Sequence, residues 1–119
     1  MHSSIKPYRV GEGHHVPAQN AFLGEPAYDP DAALAIPKSE LAAQGIKHPE
    51  ITGAQQSLYR AYAKTGKPLT WDAMQSIETQ ALVKAGMNPG MAQATVTKAI
   101  NALKAAGVKG ATKIPWGGK

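Results

Sequence analysis

Five prolines (Pro7, Pro17, Pro26, Pro30 and Pro37) and three glycines (Gly11, Gly13 and Gly24) fall within the first 37 residues, a density that forbids any long helix there. Proline locks φ and lacks an N–H, and each glycine is a point where the chain turns cheaply. The front of the chain must therefore be made of short extended pieces and loops. Two stretches read as strands: residues 14–17, and the apolar run over residues 33–37 that Pro37 closes. The loop between them carries Glu25, Asp29 and Asp31 and is expected to be solvated and acidic.

Beyond this front the punctuation becomes helical. Residues 39–44 read as one or two helical turns ended by Gly45. A second helix is expected over residues 52–64, with Leu58, Tyr59 and Tyr62 inward and Gly66 and Pro68 past its end. Thr70 has the character of an N-cap, and Asp72 suits the positive end of the next helix. In that helix Trp71, Met74, Ile77, Ala81, Leu82 and Ala85 recur at helical spacing up to Gly86. Asn88 and Pro89 form another cap-and-start pair, after which Ala92, Val96, Ala99, Ile100, Leu103 and Ala106 make an apolar stripe ending at Gly107. In the tail, Ile114, Pro115 and Trp116 are expected to dock back on the body.

At 119 residues, with 43% hydrophobic and 18% charged, the chain is sized and composed for one globular domain. It has no cysteine, which excludes disulfides and thiolate metal sites, so a metal must be held by His, Asp, Glu, Asn or backbone oxygen. No apolar run approaches the roughly 20 residues that span a bilayer, and the start MHSSIKPYRV lacks a signal peptide's apolar stretch. No membrane insertion is expected. The abrupt start, Met1 and His2 ahead of a Ser pair, reads as a cut from a longer polypeptide, and His2 is given no function.

The net charge of +5 is unevenly spread. From Arg60 onward nine Lys or Arg face only Asp72 and Glu78, a net of +7, whereas the first 59 residues carry a net of −2. A basic half suits a polyanion, because phosphate neutralisation with counterion release supplies most of the non-specific affinity for nucleic acid. Lysines on outer helix faces also serve solubility alone.

The tract Gly11-Glu12-Gly13-His14-His15-Val16-Pro17 carries the chemistry. Consecutive side chains on extended backbone point to opposite sides, so the two imidazoles are poorly arranged to clamp one ion together. The geometry favours one histidine as ligand of a divalent cation and the other as acceptor of a proton from water. The flanking glycines let backbone approach a bulky phosphate. A second ligand comes from His48, placed by Pro49 at the start of a helix, or from a carboxylate. Arg60 reads as a phosphate clamp, and Lys64, Lys84, Lys98 and Lys104 add diffuse attraction without base readout.

Gly13-His14-His15 continued by Val16-Pro17, then a short apolar strand, then the isolated His48 before a helix, resembles the GHH-type nuclease toxins of the HNH/endonuclease VII superfamily. These are C-terminal domains of polymorphic toxins, type VI secretion effectors included. The resemblance covers roughly residues 11–60 and implies an α+β, mostly α fold, with a ββα-metal core over residues 11–65 and a helical extension over residues 66–119. Residues 1–10 stand as a leader within the same single domain. By the same resemblance His14 takes a metal-ligand position, His15 the general base and His48 the ligand from the helix region, with Gln55 or Gln56 as alternatives to His48. The residue orienting the base stays open among Gln19, Asn20 and Ser39.

The implied cofactor is one divalent metal ion (Mg²⁺, Zn²⁺, Ni²⁺ or Mn²⁺), and the implied activity is phosphodiester hydrolysis of DNA in competitor cells. The implied partners are a parent secreted effector polypeptide, which brings the domain to the target-cell cytoplasm, and a cognate immunity protein. Two other classes compete with this reading. One is a non-enzymatic helical interaction module with incidental histidines. The other is a metal-dependent hydrolase of a different substrate, for which the basic half has no use.

Overall fold

The computed structural model describes residues 5–117; Met1, His2 and Lys119 lie outside them, and with them part of the expected leader. In chain order the elements are β1 (Lys6–Pro7), the one-turn helix α1 (Tyr8–Gly11), β2 (His14–His15), a 3-10 turn (Gln19–Phe22) and β3 (Leu34–Ile36). Four helices follow: α2 (Lys38–Ala43), α3 (His48–Ala63), α4 (Trp71–Lys84) and α5 (Pro89–Ala105). The fold is α+β and mostly α. Its small antiparallel sheet has the order β1-β3-β2, with Lys6 opposite Ala35 on one side of β3 and His14 opposite Ile36 on the other.

Pro7 can sit in β1 because this is an edge strand, where a missing ladder donor costs nothing. The chain then makes one turn of helix, tied to the loop before β3 by Tyr8 N–H to the Ala33 carbonyl (2.9 Å) and Arg9 N–H to the Asp31 carbonyl (3.0 Å). Glu12 (φ 52°) and Gly13 (φ 97°) reverse it into β2. Gly13 is required twice over: its φ lies in the left-handed region, and a Cβ there would stand 2.1 Å from the Ile36 carbonyl oxygen. The glycine lets β2 lie against the end of β3.

The helices start and stop for local reasons. Thr70 accepts from Ala73 N–H, and the Asn88 side chain accepts from Met91 N–H, the two caps expected from sequence. α3 begins at His48, four residues before the expected start at residue 52. Lys47 is the extended N-cap and Pro49 occupies the first turn, where a missing N–H is no loss. Gly53 and β-branched Thr52, poor helix formers both, obscure that early start in the sequence.

One hydrophobic cluster joins the two parts, with Val16, Phe22 and Ile36 from the front packed together with Ile51, Tyr59, Met74, Leu82 and Val96 from the helices. α4 packs against both α3 and α5. Of the expected inward stripes, Met74, Ile77, Ala81, Leu82 and Ala85, and Ala92, Val96, Ala99, Ile100 and Leu103, are buried. Ala106 caps α5 and is exposed, while Leu58, Tyr62 and Trp71 are half-buried. Asp29 and Asp31 are exposed as expected, whereas Glu25 is half-buried, its carboxylate accepting from Ala27 N–H (2.9 Å). Among the described residues no helix is long and apolar enough to cross a membrane.

Candidate functional site

β2, the loop before β3 and the first turns of α3, with Tyr8 and Trp116, line an open cavity of about 460 Å³. His14, His15 and His48 all line it; Arg60 does not. Arg60 is exposed near the far end of α3, twelve residues and about 18 Å along the helix axis from His48. The face of α3 turned to the cavity is set by helical spacing, with His48, Thr52 and Gln55 following one another at intervals that return to the same side.

The two adjacent histidines have different surroundings. His14 is 4% exposed, and its Nδ1 lies 3.1 Å from His48 Nε2, the rings meeting edge to face. Burial, with His48 and then His15 as lesser contributors, lowers the His14 pKa from 6.5 to about 3, so the ring is neutral across the physiological range. Its Nε2 is buried without a hydrogen-bond partner. His15 is only half-buried and stacks on Tyr8 with centroids 4.3 Å apart. Its Nε2 stands 2.8 Å from the carbonyl oxygen of Pro30. A carbonyl can only accept, so Nε2 carries the hydrogen and, in the neutral ring, Nδ1 holds the lone pair.

The hydrogen bond that orients His15 thus comes from the main chain at Pro30 and not from a side chain of Gln19, Asn20 or Ser39. Gln19 and Asn20 line the same cavity. Gln55, weighed as an alternative to His48, lines it too, but its amide N–H₂ donates to Glu78 Oε1 at 2.8 Å.

Glu78 was legible only as a charge in the sequence, yet it holds the floor of the site. Four polar or charged residues are buried among the described residues, and three of them, His14, Gln55 and Glu78, belong to the cavity or its support. The Glu78 carboxylate accepts from Ala18 N–H (3.0 Å), from the Gln55 amide and from the Tyr59 hydroxyl. Burial raises its pKa, against the three hydrogen bonds that lower it. Burial and the nearby Glu78 keep the Tyr59 hydroxyl protonated and donating. One side chain of α4 thereby fastens α3 to the segment that leaves β2.

Among the described residues no three His, Cys, Asp or Glu side chains gather into a metal cage. The His14–His48 pair nevertheless has a ligand pair's spacing. Two nitrogens about 2.1 Å from one ion lie about 3.0–3.4 Å apart in octahedral or tetrahedral geometry, and these lie 3.1 Å apart. The same 3.1 Å is a hydrogen bond between the two rings, so the spacing suits a shared proton and a shared divalent cation alike. No protein-family model, curated protein or solved structure matches this chain.

Proposed function

We propose that this chain is a metal-dependent nuclease domain of the ββα-metal type. The observation that carries the reading is the convergence of His14, His15 and His48 on one cavity, His14 and His48 nitrogen to nitrogen and His15 tied instead to the Pro30 carbonyl. β2 and β3 come before α3 in the chain, as the GHH-type resemblance implies, with the short α2 between β3 and α3 and with His48 as the first residue of α3. In this reading His14 Nδ1 and His48 Nε2 hold the cation. When bound, it supplies positive charge against the phosphate oxygens as negative charge builds on them.

The chain's own residues do the rest. His15 Nδ1 takes a proton from the water that attacks phosphorus. The bond from phosphorus to the 3′ oxygen breaks as the new one forms, and that oxygen leaves as a hydroxyl with a proton from solvent. The Pro30 carbonyl holds the His15 ring's tautomer and orientation. The stacked Tyr8 fixes the plane of that ring. Burial keeps His14 neutral and its lone pair available for a cation. The exposed Lys64, Lys84, Lys98 and Lys104 attract the phosphodiester backbone from outside the cavity, and Arg60 does the same from the far end of α3.

DNA as substrate, delivery in a secreted effector polypeptide, action in the target-cell cytoplasm and a cognate immunity protein rest on the family resemblance. The test is incubation of supercoiled plasmid and of structured RNA with the chain, in Mg²⁺, Mn²⁺, Zn²⁺ or Ni²⁺ and in EDTA. Cleavage is expected with at least one cation and none in EDTA. Both nucleic acids intact in every cation, with the protein folded, would overturn the reading.

A further inference from the structure

Trp116 adopts a backbone conformation that a bulky side chain ordinarily avoids. The tail is pinned to the body by Thr112, whose N–H donates to the Ala21 carbonyl (2.7 Å) and whose hydroxyl donates to the Leu23 carbonyl (2.6 Å). It then turns tightly, with Gly117 N–H donating to the Ile114 carbonyl (3.1 Å). Pro115 and Trp116 are the two central residues of that turn. Proline suits the first position, but the second has φ 55°, a value that usually selects Gly or Asn. A tryptophan there costs backbone energy, and strain of this kind is retained where a side chain has work to do.

The ring is half-buried and lines the cavity of the three histidines. Its inner neighbour is Tyr59, with centroids 6.1 Å apart, so the Glu78 network supports it from behind. Gln19 and Asn20, both exposed and both bearing side-chain amides, line the same cavity. At about 460 Å³ this space falls in the range of sites that take small organic ligands, and exceeds what a phosphate and a cation need. An aromatic ring and two amide-bearing residues around one cavity are the chemistry that holds a nucleobase, by stacking on its face and hydrogen bonding to its edge.

We infer that Trp116, with Gln19 and Asn20, forms a subsite for the unpaired base of a nucleotide next to the phosphate that the histidines address. The inference rests on the nuclease reading for its substrate class. It adds a base-contacting element to a surface whose lysines read only backbone charge. Stacking tolerates every base, so the subsite selects a strand that can splay a nucleotide out and prefers no particular sequence.

Binding without turnover tests it. Short oligothymidylate and its all-abasic analogue carry the same phosphates, and EDTA prevents cleavage. In Trp71→Phe protein, where Trp116 is the remaining tryptophan, the oligothymidylate quenches fluorescence and the abasic strand does not. If Trp71→Phe fails to fold, the difference between wild type and Trp116→Phe gives the same signal. Calorimetry adds the affinities: Trp116→Ala weakens oligothymidylate binding about tenfold, Trp116→Phe retains most of it, and neither alters abasic-strand binding. Equal affinity of wild type for the two strands, or Trp116→Ala binding oligothymidylate as wild type does, overturns the subsite. Either result combined with plasmid cleavage removes the subsite and leaves the nuclease reading standing. Base-dependent quenching without cleavage does the reverse.

Discussion

His14 and His15 are the same residue type one position apart, and what separates them is their neighbours. His14 is sealed among core side chains with its Nδ1 on His48, and His15 is half-open with its Nε2 on a main-chain carbonyl. Burial has a thermodynamic consequence for His14. Its folded pKa of about 3 lies below its unfolded value of 6.5, so the unfolded chain binds more protons between those limits. The neutral ring's contribution to stability is fully present above pH 6.5 and is lost as pH falls toward 3, a swing on the order of 5 kcal/mol. The raised pKa of Glu78 acts in the opposite sense above its unfolded value of 4.5, so wild type alone does not isolate the effect. His14→Gln does. Urea unfolding from pH 7 to pH 4 is expected to show wild type losing stability more steeply than His14→Gln. Parallel curves would mean that His14 is not held neutral.

At the scale of elements, the tie from α4 to α3 and to the segment after β2 passes through one carboxylate. Glu78→Ala leaves Ala18 N–H, the Gln55 amide and the Tyr59 hydroxyl without their acceptor inside the core. Each unsatisfied buried donor costs about 1–3 kcal/mol, so a loss of roughly 3 kcal/mol or more is expected in urea unfolding. Glu78→Gln keeps an acceptor oxygen and is milder. A change below about 1 kcal/mol in Glu78→Ala would show that water replaces the carboxylate.

Glu78 also marks where reading the sequence stops. The Thr70 and Asn88 caps, the ends at Gly86 and Gly107, and the stripes of α4 and α5 were legible because a cap or a stripe is written within a few residues. Glu78 sits four residues from both Met74 and Leu82, within an inward stripe, and a carboxylate in that position was the available signal. Its partners Gln55 and Ala18 are 23 and 60 residues away, and no local pattern encodes them. The Pro30 carbonyl on His15 was hidden for a related reason, since any residue offers a carbonyl and only the path of the loop decides which one arrives. The three histidines themselves were legible as chemistry, and the fold adds their meeting in one cavity. Arg60, chosen for its chemistry alone, stands outside that cavity.

For the molecule as a whole, the proposed nuclease reading joins the net charge of +7 from Arg60 onward to the histidine cavity. In that reading the helical half would draw in a polyanion without reading it, and β2 with the start of α3 would hold a cation and supply a base in a cavity of about 460 Å³. The central claim is that adjacent histidines divide the chemistry, His14 with His48 holding the cation and His15 moving the proton. The direct measurement is plasmid cleavage together with cation titration for wild type, His15→Ala and His48→Ala. His15→Ala is expected to bind the cation as wild type does and to cleave about 10²–10⁴-fold more slowly, whereas His48→Ala loses cation affinity and cleavage together. Undiminished cleavage by folded His15→Ala, or unchanged cation affinity in His48→Ala, would contradict that claim.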